Sequence, residues 1–223
     1  MKMQKKGIIL FAITIVWLGL SGCHSDSMKD IEGNVYKTVT LGTQVWMAEN
    51  LKTTKYNDGT EIPVITENDS WAKLTTPGYS WYNNDSKEYK EIYGALYNWY
   101  VVNTNKLCPV GWHVSTDAEW NTLAIFLQGG NEVGGKLKEK GTKHWKIPNE
   151  GATNESGFTA LPGGYRSFEG AFNYIGITGY WWSSTEYNES SVLFWNLRYK
   201  SGGTFKYRSE KNCGFSVRCI RDK

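Results

Sequence analysis

Histidine is scarce in this chain of 223 residues, with only His24, His113 and His144 present. No two of them stand at a ligand spacing, so no metal site is indicated, and no cofactor is expected. Excess positive charge is missing too. Lysine and arginine total 25 against 22 acidic residues, but Lys2, Lys5 and Lys6 fall in an N-terminal leader without acids, so residues 23–223 balance at 22 against 22. Phosphate binding needs a dense basic patch; there is none, and a nucleic-acid partner is excluded. Internal repeats and low-complexity tracts are also absent, which leaves one domain of about 190 residues. No run of apolar residues suits a membrane span, because the longest, Gly7 to Leu20, has the length of a signal-peptide core.

That run follows three lysines and ends in Leu20-Ser21-Gly22-Cys23. The ending resembles a bacterial lipobox, in which cleavage before the cysteine leaves Cys23 lipidated as the first mature residue. Acyl chains contribute about 0.8 kcal/mol per buried CH2, so two or three hold a protein firmly to a bilayer. His24 in place of aspartate favours the outer membrane by the sorting rule that lipoproteins follow. The expected organisation is residues 1–22 as signal peptide, 23–33 as a flexible polar tether, and 34–223 as a single domain in the cell envelope, facing the periplasm or exposed at the surface.

Cys108, Cys213 and Cys219 remain after the leader and Cys23. An exported chain is expected to pair some of them, and an odd count leaves one over. Cys108–Cys219 with Cys213 free is the expected arrangement; Cys213–Cys219, six residues apart, is the alternative. Cys108 with His113 as nucleophile and base lacks an orienting third group.

Thr116 and Glu119 form a capping box, and Trp120, Leu123, Ala124 and Leu127 follow on one helical face until Gly129-Gly130. A helix over 117–128 is predicted, and Asp117 and Glu119 are capping groups rather than a catalytic pair. A hairpin is predicted from Val35–Leu41, Gly42-Thr43 and Gln44–Glu49. Residues 66–91 read mostly as loop. Leu96, Tyr97 and Tyr100 stand at helical spacing, so a second helix is expected over 93–104, and a short one over 132–140. Tyr180–Thr185, Ser191–Tyr199, Thr204–Ser209 and Phe215–Arg221 read as four antiparallel strands. The class is α+β, two helices packed on a sheet.

Several stretches together resemble one bacterial family, the Fibrobacter succinogenes major paralogous domain. They include Gln44-Val-Trp-Met-Ala-Glu-Asn-Leu51, Tyr93-Gly-Ala-Leu-Tyr-Asn-Trp99, Cys108-Pro-Val-Gly-Trp-His113, Gly157-Phe-Thr-Ala-Leu-Pro-Gly-Gly-Tyr-Arg166, Tyr180-Trp-Trp-Ser-Ser184 and Gly214-Phe-Ser-Val-Arg-Cys-Ile-Arg221. That resemblance implies a C-type lectin-like fold, with two helices on a curled antiparallel sheet, long irregular loops and a long-range disulfide to the last strand, which agrees with Cys108–Cys219. It implies no activity. Calcium-dependent lectins pair a Glu-Pro-Asn or Gln-Pro-Asp motif with Trp-Asn-Asp; here only Trp195-Asn-Leu197 stands. Formylglycine-generating enzymes share the fold and need a reactive cysteine pair, for which Cys213 and Cys219 are poorly placed.

Eleven tryptophans, all but Trp17 beyond the leader, are the most unusual feature. Indoles serve both cores and sugar-stacking platforms. Trp46, Trp99, Trp112 and Trp120 lie in patterned segments and are expected in the core. Trp71, Trp81 and Trp145 lie in polar loops and are expected exposed; of the neighbours Trp181 and Trp182, one is expected buried and the other open. The leading expectation is a non-enzymatic surface module that binds a glycan or protein through Trp71, Trp81, Trp145, Trp182 and Glu186. A purely structural envelope component is the alternative. A glycosidase pairing of Glu169 with Glu186 is the third reading.

Overall fold

The computed structural model describes residues 27–223; Cys23 and the leader lie outside the described residues. Strand outweighs helix, 34% to 19%, so within the mixed class the molecule is β-rich.

The chain opens with β1 (Ser27–Lys29), paired antiparallel to β2 (Val35–Leu41), which turns at Gly42-Thr43 into β3 (Gln44–Met47) as the alternation predicted. Residues 27–33 of the expected tether are therefore part of the fold, while 23–26 lie outside the described residues. Asp30 is the reason. Its carboxylate accepts from Glu32 N, Asn34 N, Asn34 Nδ2 and the Tyr36 hydroxyl, which turns a polar stretch into a tight hairpin.

Residues 66–91 are less loop-like than expected, with α1 (Asn68–Ala72), β4 (Tyr79–Ser80) and α2 (Ser86–Tyr93), the last capped by Asp85. The single helix expected over 93–104 is also corrected. Gly94 ends α2 at φ 72°, where a Cβ would lie 2.6 Å from the Leu51 carbonyl oxygen. The chain then runs as β5 (Leu96–Tyr97) and re-enters a short helix, α3 (Trp99–Val102), capped by Asn98. Tyr97 exchanges backbone hydrogen bonds with Phe215, so extended pairing overrides the helical spacing.

After β6 (Trp112–Val114) comes the predicted helix, α4 (Asp117–Phe126), with both halves of the capping box formed. Trp120, Leu123 and Leu127 are buried along its inner face. α5 (Val133–Leu137) follows; then a long irregular stretch leads to β7 (Gly163–Arg166) and β8 (Phe172–Ile175). The last four strands are β9 (Thr178–Asn188), β10 (Ser191–Arg198), β11 (Thr204–Glu210) and β12 (Cys219–Arg221). Two five-stranded sheets result, ordered β1-β2-β3-β12-β6 and β11-β10-β9-β7-β8, with β4-β5 as a separate pair. Cys108 and Cys219 are disulfide-bonded across a separation of 111 residues, and Cys213 is free and buried.

Two cores flank these strands. Met47, Trp182, Phe194 and Cys219 point into one; their chain neighbours Trp46, Trp181, Trp195 and Ile220 point into the other. Side chains alternate across a strand, so a strand buried on both faces carries bulky residues without a polar break. In the second core Trp120 stacks on Trp195 at 5.7 Å and touches Trp46, Phe158 and Trp181.

The irregular loops are held by buried cations that bond carbonyls rather than carboxylates. Arg166 donates to the carbonyls of Ile65, Thr66 and Gly170 and lies over Trp71 and Phe172. Arg218 donates to those of Met47, Phe158 and Thr159, and Lys138 to those of Glu150, Arg198 and Ser201. Backbone carbonyls outside helix or sheet need donors once water is gone. Burial lowers Arg166 to about 10, Arg218 to about 9 and Lys138 to about 8, and the negative charges of Glu67, Glu49 and Glu150 respectively oppose that shift.

Candidate functional site

The expected ligand tryptophans are corrected by their burial. Trp71 and Trp182 are 0% exposed, Trp145 1% and Trp81 8%. Trp71 lies under the Arg166 guanidinium. Trp81 packs edge-on to Tyr79 at 5.4 Å, Trp145 donates Nε1–H to the Ala160 carbonyl, and Trp182 donates to that of Tyr97. Their loops read as solvent-facing because they are polar and aperiodic, yet each folds around its own indole. Trp181 and Trp182 do face opposite sides, but both sides are covered. Glu186 is exposed and ion-paired with Lys211, whereas Glu169 lines a groove that Glu186 does not reach.

That groove, of about 730 Å³, lies against β7 to β11. The register of the second sheet sets Phe194 opposite Tyr207 and Asn196 opposite both Tyr180 and Phe205, so these side chains share one face. Tyr165 and Tyr180 contact one another at 4.8 Å, and Phe215 closes the floor at 5.3 Å from Tyr180 and 4.8 Å from Phe194. Tyr207 and Phe168, each 45% exposed, present rings at the rim.

Polar groups converge on these rings. Arg198 donates Nε–H to Asn196 Oδ1 and Nη2–H to the Tyr207 hydroxyl, both at 3.2 Å. Its guanidinium lies 4.4 Å over Phe205 and 5.4 Å over Tyr207. Two of its five N–H donors are thereby used, and the fork is held in place with the rest free to bind. Asn196 is 2% exposed and its Nδ2 has no acceptor among the described residues. Because a guanidinium takes Asn196 Oδ1 and Leu197 replaces an aspartate, Trp195-Asn-Leu197 does not offer calcium its oxygens.

Titration in the groove moves away from neutrality. Desolvation pushes Tyr180 up to about 12, raises Tyr165, and pushes the Cys213 thiol up to about 11. The phenols therefore remain protonated hydrogen-bonding groups, and the thiol is not a nucleophile at ordinary pH. His113, set aside as a base for Cys108, bridges Glu119 Oε1 at 2.9 Å and Asp222 Oδ1 at 2.6 Å, and Cys108 is bonded to Cys219 as expected. Among the described residues no group of three or more histidine, cysteine or acidic side chains is placed to hold a metal ion.

A second cavity, of about 340 Å³, lies between Tyr36, Glu49, Glu91 and His144. Most of its walls are already engaged: Asn50 binds Trp181, Arg218, Tyr93 and Ser216, Lys52–Glu91 is an ion pair, and His144 Nδ1 is hydrogen-bonded to Glu139. Lys143 on its lining has no partner among the described residues, but the cavity lacks the open aromatic rings that the groove sets beside its free donors.

Sequence reasoning missed Tyr165, Tyr180, Phe194, Asn196, Arg198 and Tyr207. The available signal was Phe205 and Tyr207, two residues apart on a strand whose other face carries Lys206 and Arg208. Residues 39–221 match the family model described as the Fibrobacter succinogenes major domain. No curated protein and no solved structure matches the chain.

Proposed function

We propose that this chain, which belongs to the Fibrobacter succinogenes major domain family, is a non-enzymatic binding module of the cell envelope whose ligand seat is the aromatic groove. The observation that carries this reading is the convergence of open rings, above all Tyr207 and Tyr180, with the fixed Arg198 fork and the unpaired Asn196 amide. Sugars are bound in this way, the ring face taking C–H groups while planar polar groups take hydroxyls. The glycan class is favoured over a protein partner because the groove is concave and sets a fixed guanidinium and an amide beside aromatic rings.

The C-type lectin-like assignment belongs to the same proposal. Pairing of β3 with β12, the disulfide to β12 and the separate β9-β10-β11 sheet all support it. So does the anchor: the leader and Leu20-Ser21-Gly22-Cys23 support lipidation at Cys23 and an outer-membrane place. Among the described residues no helix is long and apolar enough to cross a membrane. A structural envelope role without a ligand is the second reading, favoured by the complete burial of the loop indoles.

The test is a glycan array with the mature chain beside its Tyr207→Ala and Arg198→Gln variants. Hits that both variants lose support the groove. Silence across neutral and acidic glycans, or hits that survive both substitutions, would sink it.

A further inference from the structure

Ser27, the first residue of β1, stands four residues after the cysteine proposed to carry the lipid. Four residues span at most about 14 Å even when fully extended. A folded body of about 197 residues has a radius of gyration near 16 Å. The connection is therefore shorter than the molecule's own radius, and only the surface around Ser27 can reach the bilayer.

That surface is the β1–β2 hairpin. The register pairs Ser27 with Lys37 and Lys29 with Val35, so these four share the outer face while Met28 and Tyr36 turn inward and are buried. Ile31 sits in the turn. Ile31 and Val35 are 54% and 51% exposed and stand together at the end of the fold nearest Cys23. Lys29 and Lys37 are exposed and neither ammonium has a carboxylate partner among the described residues. Of the nearby acids, Glu32 accepts from Thr53 and Thr54, and exposed Glu49 accepts from the Lys37 backbone N–H at 2.7 Å, so it partly offsets the charge of Lys37 and leaves Lys29 as the freer cation. Asp30 fixes the turn from inside. β1 is also an edge strand, with one side unpaired in the sheet.

We infer that the β1–β2 hairpin is a membrane-contact edge, with Ile31 and Val35 entering the headgroup layer of a phospholipid bilayer and Lys29 and Lys37 meeting its phosphates. Aliphatic side chains lose water there, and lysines carry their stems along apolar surface to an anionic layer. The groove lies on the other sheet, so this docking leaves it unobstructed by its own anchor strand. The inference rests on the lipid anchor at Cys23.

The test uses the full lipidated chain in vesicles of phosphatidylethanolamine and phosphatidylglycerol. Ile31→Cys, Val35→Cys and, as a control on α4, Ile125→Cys are labelled with an environment-sensitive fluorophore; Cys108 and Cys219 are bonded and Cys213 is buried, so label goes to the new thiol. Mass analysis of the N-terminal peptide comes first, and an unacylated Cys23 would overturn the anchor and the contact together. With Cys23 acylated, quenching by a shallow nitroxide lipid at 31 and 35 at least threefold above that at 125 supports the contact. Equal quenching at all three overturns the contact and leaves the anchor standing. Self-quenching at 31 and 35 that rises with protein density would mean a second copy covers the edge, and also overturns it.

Discussion

Trp181 and Trp182 are consecutive residues and lie in different hydrophobic cores. Trp181 packs within 6.3 Å of Trp120 and donates its indole N–H to Asn50, while Trp182 packs 4.2 Å from Phe215 and donates to the Tyr97 carbonyl. The strand that carries them is a wall between two interiors, so the abundance of tryptophan is first a matter of packing.

Truncating a loop indole should therefore cost stability rather than recognition. Trp145→Ala is expected to lose about 3–5 kcal/mol, the range for large aromatic truncations in cores. Tyr207→Ala, at the groove rim, should lose less than about 1 kcal/mol. Urea unfolding of the two variants checks the order; if Trp145→Ala unfolds like the parent chain, the buried position of that side chain is wrong.

Reduction of Cys108–Cys219 opens a loop of 111 residues. In the chain-entropy account this removes about 4.7 kcal/mol. Chemical denaturation of Cys108→Ser beside the parent should show a loss of that order. Cys213 should resist alkylation in the folded chain and react once it unfolds, since burial pushes its thiol up to about 11.

His113 gives a pH dependence with a definite sign. Hydrogen bonding to Glu119, then to Asp222, raises it to about 9, above the unfolded value near 6.5. The folded state holds the proton more tightly, so this contribution is complete below pH 6.5 and is lost as pH rises towards 9. The side chain is 39% exposed, and solvent screening keeps the effect below about 1 kcal/mol. Stability of His113→Asn relative to the parent, measured across pH 6 to 10, should converge at the alkaline end.

Arg166→Lys keeps the charge and loses the fork. An ammonium has three donors but holds them on one nitrogen, whereas the carbonyls of Gly170, Ile65 and Thr66 are reached from Nε, Nη1 and Nη2 in turn, so a lysine leaves at least one of them short at roughly 1–3 kcal/mol. Thermal or urea unfolding should show a loss of at least that size; parity with the parent would mean the guanidinium is dispensable to the loops.

What could be read beforehand was whatever repeats locally. The β2–β3 hairpin, the capped helix with Trp120, Leu123 and Leu127, and the late strands all follow from periodicity and turn chemistry. The pairing of Cys108 with Cys219 followed from cysteine counting and family resemblance. The rest depended on contacts between distant residues. Leu96 and Tyr97 stand at helical spacing from Tyr100, but Phe215, over a hundred positions on, claims the Tyr97 backbone for a sheet. Ser27 to Gly33 looks like linker because the order there comes from one carboxylate, Asp30, and not from apolar content. The groove is assembled by register between β9, β10 and β11, and no single segment displays it.

β12 sits between β3 and β6, so an inner strand of the first sheet is supplied by Cys219–Arg221, far along the chain from both neighbours. A ribosome delivers that strand long after β3 and β6. Until then β3 has an open side, and Trp46 lacks its neighbour Ile220. Closure of the first sheet must therefore wait until Cys219–Arg221 has been made, and a cut ahead of β12 would free both β3 and β6 rather than fray one strand.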